Sequence, residues 1–409
     1  MRNGHKVVVL LTMAVLLLAA CTPAAPTPTP TKAPAAASPA APQLTVAAAT
    51  PALKAAEPRP PVVLGSVLSL VGPAGSTGVG IKQGMDLALE EINAKGGVDG
   101  RKLEIIYEDD EAQPAKATTA ATKLIQKDTV VAVLGAAVTA TSVAAAQVAN
   151  AEKVVLFSPS FTGDQLTAPG SGMDYIFRIG LPDRFTIGKL VQYGAKKYSK
   201  IGIFTDSGPA GQSITPVATK LLTDAGKPPV NSQMHDTRSP DMTPQLLNLQ
   251  KAGAEALVMQ ALPPDAVTIM KNMKQIGYDA QILGHVTFTD PLVRTVEGVV
   301  TVDIVDRDKP EFKAFLAAYT KKYGGDVNSI LWIPPVGGYD AVYVVAEALK
   351  RANFDKDRLK QALESIKDLP AVSGAKANKI SFGPSQHDGN LAESVVLVQV
   401  KGPDLAKLE

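Results

Sequence analysis

The 409-residue chain holds one cysteine, Cys21, so no disulfide can form within it. Histidine is scarce too: only His5, His235, His285 and His387 occur, and none stands in a pair spaced to ligate a metal. No Gly-x-Ser-x-Gly elbow is present, so neither metal-assisted nor serine hydrolysis has its minimum constellation. Charge of one sign is not in excess either. Setting aside Arg2 and Lys6 leaves 39 of the 41 basic residues, equal to the 39 acidic ones, which argues against nucleic acid or anionic lipid as a partner. After residue 60 no apolar run approaches the roughly 18 to 20 residues that span a bilayer.

What the chain does have begins at its start. Arg2 and Lys6 precede an apolar run from Val7 to Leu18, and Leu18-Ala19-Ala20-Cys21 closes it with small residues before the cysteine. The run is too short for a membrane anchor and has the form of a cleavable export signal. Residues 1–20 are therefore expected to be removed, leaving Cys21 as a lipidated N-terminus. Several acyl chains, at roughly 0.8 kcal/mol per buried methylene, make such anchorage effectively permanent. Residues 21–60 are largely Ala, Pro and Thr, too poor in bulky apolar groups to offset the entropy of folding. At about 3.1 Å per residue this tether reaches on the order of 100 Å.

The remaining body is long enough for two ordinary domains. Short β-branched runs alternate with helical patterns, the signature of βαβ units on parallel sheets. Strands are predicted over Val62–Leu70, Leu103–Glu108, Val130–Leu134 and Val154–Phe157. Ile81, Met85, Leu89 and Ile92 recur at helical spacing, and Gly96-Gly97 ends that helix. The same rhythm resumes near Asp183 and runs to Val305. Three helices then follow in a row, over Lys309–Tyr323, Gly337–Ala352 and Lys356–Ile366, before a strand near Ser394–Val400. Helices without strands of their own suggest a chain that has returned to cover its first sheet. The fold class is α/β, two doubly wound parallel-sheet lobes.

An ordered set of motifs carries a family resemblance. It comprises Gly72-Pro73, Gly78, Gly84, Ala88 and the run Glu91-Ile92-Asn93-Ala94-Lys95-Gly96-Gly97-Val98-Asp99-Gly100. Glu108-Asp109-Asp110 with Pro114, Gly135, Ser158-Pro159-Ser160 with Thr162, and Gly338-Tyr339-Asp340-Ala341 follow in order. The set resembles the branched-chain amino acid branch of the type I periplasmic binding proteins. The resemblance implies three crossovers, near Gly180–Asp183, Val302–Arg307 and Phe382–Asn390. They divide the body into a first lobe of residues 61–181 plus 307–384 and a second of residues 182–306 plus 385–409. It also implies a substrate-binding lipoprotein that feeds an ABC permease, outside the cytoplasm, as a monomer without cofactor, metal or enzymatic activity. A ligand-sensing subunit that presents its closed form to a membrane receptor is the alternative.

In open α/β sheets ligands sit where strands end and helices begin. One such place is the glycine-rich loop containing Thr77, where backbone can approach a ligand closely. A second is the helix start at Thr141 and Ser142, whose free N–H groups suit a carboxylate, although a hydroxyl there is also expected to cap the helix. The resemblance places Thr141 where a serine holds the ligand carboxylate, and Ser160 and Thr162 in the clamp on carboxylate and amine.

In the second half the chain departs from the family pattern. Ala210, after Asp206, replaces one aromatic, Leu262 stands near another, and Val286 occupies the position of the acid that pairs a ligand ammonium. Burying an ammonium there without a carboxylate costs several kcal/mol, which disfavours an ordinary α-amino acid unless Asp206 or another acid supplies the charge. The expected ligand has a carboxylate or amide head held by Thr141, Ser160 and Thr162 and a body enclosed by Phe161, Leu262 and Val286. His285 is a further candidate donor.

Overall fold

The structure, a computed structural model, describes residues 59–408. The predicted export signal, the predicted lipidation site Cys21 and nearly all of the predicted tether lie outside them. Among the described residues no helix is long and apolar enough to cross a membrane.

The first sheet is built from β1 (Val62–Leu68), β2 (Leu103–Asp109), β3 (Val133–Gly135), β4 (Leu156–Ser158) and β5 (Ile176–Arg178). All pairings are parallel, in the order β2-β1-β3-β4-β5. Helices α1 (Gly75–Ala94), α2 (Pro114–Thr122) and α3 (Thr139–Ala151) connect its strands. The glycine-rich stretch after β1 is a shorter loop than expected, because α1 begins at Gly75 and takes Ser76 and Thr77 into its first turn. A Cβ on Gly78 would lie 1.9 Å from the Ser69 carbonyl oxygen, so only glycine lets this turn press on the strand end. β5 went unforeseen: three residues at a sheet edge carry too short a pattern to read.

The second half contributes α4 (Asp183–Lys197), β6 (Ile201–Asp206), α5 (Pro209–Asp224), β7 (Ser232–His235), α6 (Thr243–Lys251), β8 (Ala256–Met259), α7 (Pro263–Gln275), β9 (Gln281–Gly284) and β10 (Val300–Asp303). After α8 (Pro310–Tyr323), α9 (Ile333–Arg351), α10 (Lys356–Glu364) and the small hairpin β11 (Leu369–Pro370) and β12 (Lys379–Ile380), the chain adds β13 (Val396–Lys401) and β14 (Asp404–Lys407). The second sheet runs β14-β13-β10-β9-β8-β6-β7, parallel except where β13 pairs antiparallel with β10 and β14.

Of the three consecutive helices, α9 and α10 pack with the first sheet: Ala341, Val345, Leu349 and Leu363 share a core with Leu64, Leu134 and Phe157. α8 reaches the first lobe through α1 and α9 and not through the sheet itself: Tyr319 donates to Gln83 of α1, Lys322 pairs with Glu90 of α1, and Phe315 meets Tyr339 of α9 at 5.0 Å between centroids. Its stripe of Phe312, Phe315 and Tyr319, at i, i+3 and i+7, enters a core with Trp332, Ile187, Leu190 and Ile203. Aromatic area on that scale is best buried among other rings, and Trp332 meets Phe312 edge-on at 5.6 Å between centroids.

The closest helix pair is α1 with α9. A Cβ on Gly84 would stand 1.9 Å from the Pro335 carbonyl oxygen, and one on Gly338 would stand 2.2 Å from that of Ile81. Backbone rests on backbone here, so neither helix has a flexible side chain that could yield. Gly84→Ala is accordingly expected to lower unfolding free energy in urea by about 1–3 kcal/mol or more. Gly188→Ala is the control: the added Cβ meets nothing nearer than 4.0 Å in α4, and a helical alanine is expected to add roughly 0.5–1 kcal/mol.

Candidate functional site

Strand order singles out one place in each sheet. In the first sheet β1 lies between β2 and β3, so the chain winds to opposite sides from β1 and β3 and leaves a crevice beyond their carboxyl ends. The start of α1, with Thr77, and the start of α3, with Thr141 and Ser142, flank it. In the second sheet β6 lies between β7 and β8, and the segments leaving β6 and β8 carry Asp206, Ala210 and Leu262. His285 and Val286 follow the adjacent β9. The candidate residues therefore fall at strand ends in both sheets.

On the first-sheet side, α3 has an uncapped start. Val138 is its N-cap residue, and among the described residues no side chain accepts from the first N–H groups. The expected capping hydroxyl is absent: Thr141 Oγ1 instead donates to the Val138 carbonyl at 3.3 Å. Ser142 is fully buried and its Oγ has no hydrogen-bond partner. Ser160 Oγ donates to the Ala137 carbonyl at 3.2 Å, and the Thr162 carbonyl accepts from Asp183 N at 2.8 Å, tying this loop to the start of α4. Phe161 corrects an expectation. Its ring is 1% exposed and packs with Val67, Val133, Leu156 and Ile176, because the Ser158 hydroxyl accepts from Phe161 N at 3.1 Å and turns the side chain inward. It fills core instead of enclosing a ligand.

On the second-sheet side Asp206 is already engaged. Its Oδ1 accepts from Gly208 N and Gly211 N at 2.8 and 3.2 Å, and its Oδ2 accepts from Gln260 Nε2 at 2.8 Å. The acid serves the N-terminus of α5, so it is not available as the missing partner of a ligand ammonium. Ala210 is half-buried in the first turn of α5, Leu262 is exposed, and Val286 joins the core with Leu283 and Val302. His285 is buried with its Nε2 3.3 Å from Asp183 Oδ1, without hydrogen-bond alignment. Asp183, whose Oδ2 accepts from Ser213 Oγ at 2.9 Å, was missed as a site residue. A lone acid opening a helix reads as a cap, and only the fold brings β9 beside it.

One cavity is lined by none of the candidate residues. That cavity, about 510 Å³ in volume, lies between the first turns of α1, the segment after β9 at Asp290 and Pro291, and the α8–α9 connection. It adjoins the first candidate loop through Ser76, next to Thr77. Among the described residues no cluster of His, Cys, Asp and Glu could hold a metal ion.

Two mostly parallel α/β sheets with the candidate residues at their strand ends have the fold of type I periplasmic binding proteins. Residues 61–404 match the family described as periplasmic binding protein, and the chain belongs to that family. Its members are solute-binding proteins, not enzymes, and the family implies a place outside the cytoplasm. A curated relative, Leu/Ile/Val-binding protein homolog 7 of Brucella abortus (strain 2308), is 27% identical over 362 residues, covering 83% of this chain and 88% of the relative. The crystal structure of a type 1 periplasmic binding protein from Bordetella pertussis Tohama I superposes with TM-score 0.78 at 23% identity, over 85% of this chain and 99% of that one. The solute-binding protein of an ABC transporter from Rhodopseudomonas palustris BisB5, in complex with 3,4-dihydroxybenzoic acid, gives TM-score 0.72 at 23% identity over 85% and 96%.

The buried Asp183 cluster yields a test of local structure. Asp183→Ala leaves Ser213 and His285 facing a void and is expected to cost about 1–3 kcal/mol in urea unfolding. Asp183→Asn, which keeps an acceptor for Ser213, is expected to lose less.

Proposed function

We propose that this chain is the lipid-anchored, solute-binding subunit of an ABC importer. Its two lobes, residues 61–181 with 307–384 and residues 182–306 with 385–409, close over a small solute with a carboxylate or amide head. The observation that carries this reading is the contrast between two helix starts. At α5 the N-terminal N–H groups already have their anion in Asp206. At α3 the equivalent groups have no side-chain acceptor, and the buried Ser142 hydroxyl beside them is unpaired. An uncapped helix start attracts negative charge through its N–H groups and dipole, so the ligand head is assigned to α3. Thr77, Thr141, Ser142, Ser160 and Thr162 form the first-lobe face of the site. Ala210, Leu262 and His285 form the second-lobe face, with Val286 backing it from the core and Asp206 holding it in shape.

A carboxylate head also fits the relatives. One is named for branched-chain amino acids, and the Rhodopseudomonas structure holds an aromatic acid; the carboxylate is what those ligands share. The ligand docks first on the lobe carrying α3. Contacts made only in the closed form then draw in the other lobe, shifting an open–closed equilibrium that a permease reads.

Calorimetry with leucine, benzoate and 3-phenylpropionate tests the head group. At least one carboxylate is expected to bind, and Ser142→Ala, which removes a hydroxyl that satisfies nothing in the free protein, is expected to weaken it about tenfold while leaving stability near the parent. Binding by none of them, or binding untouched by Ser142→Ala, overturns the assignment. In cells, deletion is expected to abolish uptake of the bound solute. Uptake that persists while a receptor ectodomain binds the closed form selects the sensor role instead. Cys21→Ser is expected to shift the protein from the membrane to the soluble extracytoplasmic fraction, and retention in the membrane would refute the lipid anchor.

A further inference from the structure

We propose that the cavity between α1, the segment after β9 and the α8–α9 connection is a compartment for a cationic nitrogen, with Asp290 as counter-charge and Tyr319 and Tyr323 as its aromatic wall. The inference rests on the reading that the two lobes flank a ligand, and it adds the chemical class of a part of the cleft separate from the α3 start. At about 510 Å³ the cavity can hold a small organic molecule. Neither lysine nor arginine is among the described residues that line it, and Asp290 is its one acid.

The Asp290 side chain is half committed. Its Oδ1 accepts from Leu292 N at 2.8 Å, and no other side-chain hydrogen bond engages it among the described residues. Arg294 acts on it only from a distance, because that guanidinium is spent on the carbonyls of Thr289, Asn328 and Pro403. Burial pushes the Asp290 carboxyl above its ordinary value, with the Leu292 N–H and Arg294 pulling the other way. A carboxylate short of compensation is stabilised by a cation brought to it.

The wall fits the same guest. The Tyr319 and Tyr323 rings lie 4.9 Å apart at 52°, and Tyr319 donates its hydroxyl to Gln83 Oε1 at 2.5 Å. That bond fixes one aromatic face and leaves the Gln83 amide group beside the cavity. Lys322, 5.1 Å from the Tyr323 ring centre, is paired with Glu90 and so does not neutralise Asp290. Aromatic faces with one carboxylate and apolar contacts from Ile330 and Pro334 suit an ammonium carried on an aliphatic or aromatic body.

The test compares phenethylamine with 3-phenylpropionate, which differ chiefly in the charged head, by calorimetry on the mature chain. The amine is expected to bind, and Asp290→Asn to weaken it about tenfold or more, the scale of a lost charge-assisted bond. Asparagine retains an acceptor for Leu292 N, so the turn and the thermal midpoint are expected to hold. Tyr323→Leu removes the aromatic wall without touching the acid and is expected to weaken the amine as well. 3-Phenylpropionate is expected to be indifferent to Asp290→Asn. No amine binding, or amine binding unchanged by Asp290→Asn, overturns the proposal even if the acid binds and responds to Ser142→Ala. Amine binding that depends on Asp290, with no acid responding to Ser142→Ala, sustains it while the carboxylate assignment at α3 fails.

Discussion

The contact on which the candidate site depends is the backbone-to-backbone packing of α9. Its first turns touch two segments of the first lobe at three points. Gly338 lies against Ile81 of α1, and Pro335 lies against Gly84 of the same helix. A Cβ on Gly337 would stand 2.2 Å from the carbonyl oxygen of Pro159, the residue before Ser160. One glycine-rich helix start thus sets both the angle of α1 and the height of the loop that carries Ser160 and Thr162. The arrangement is reinforced one turn further along, where Tyr339 and Tyr343 both donate to Glu91 Oε2, at 2.7 and 2.8 Å. Sequence separations of about 250 residues are closed by these contacts, so the last quarter of the chain must return before the first-lobe loops have a fixed geometry. Such long closures are slow to form and depend on complete packing.

A second set of contacts fixes where the chain passes between lobes. Arg178, wholly buried at the end of β5, donates its Nε to Asp388 Oδ1 at 2.6 Å and its Nη1 to the Gly163 carbonyl at 2.6 Å. Arg184, in the first turn of α4, pairs with both Asp164 and Asp388. The strand that leaves the first sheet, the loop after Thr162, the first turn of α4 and the returning segment near Asp388 therefore share one ionic knot. Removing either charge of such a buried pair is far costlier than the pair is worth, which keeps the crossings in register. The His387 imidazole next to it is pushed below its ordinary value by burial, against the pull of Glu364, and stacks 3.9 Å from Phe177. Asp340 does the same work for the return leg, its carboxylate accepting from Val372 N and Ser373 N at 2.9 and 2.7 Å.

Much of this was legible in the residues. Alternation of β-branched runs with helical periodicity places the long, regular elements, since period is what a sequence records most plainly. The failures have separate physical causes. β5 and β14 are three and four residues long, below the length at which a pattern separates from chance. The start of α1 was misread because glycine signals both an open loop and a helix that must lie against backbone, and only the partner at Ser69 decides. Phe161 sits in a loop of hydroxyl residues that suggests a ligand, yet the bond from its own N–H to the Ser158 hydroxyl sends the ring into the core.

The acids separate structural from functional polarity. Asp206, Asp340 and Asp388 are buried and each is saturated by N–H groups or guanidinium, so they hold loops in place and have little left to offer a solute. A buried polar group without such partners is costly, and a fold tolerates it where something else completes it. Ser142, at an uncapped helix start, is a group of that kind; Asp290 is half-buried at the wall of a cavity lined by no basic side chain, with one oxygen committed to Leu292 N. They differ in sign: the first, with the helix N–H groups, offers donors, and the second offers an acceptor. A solute satisfying both would be polar at two points with apolar area between, in keeping with a cavity whose other walls include Val79, Pro334 and the Tyr319 and Tyr323 rings in place of a second set of charges.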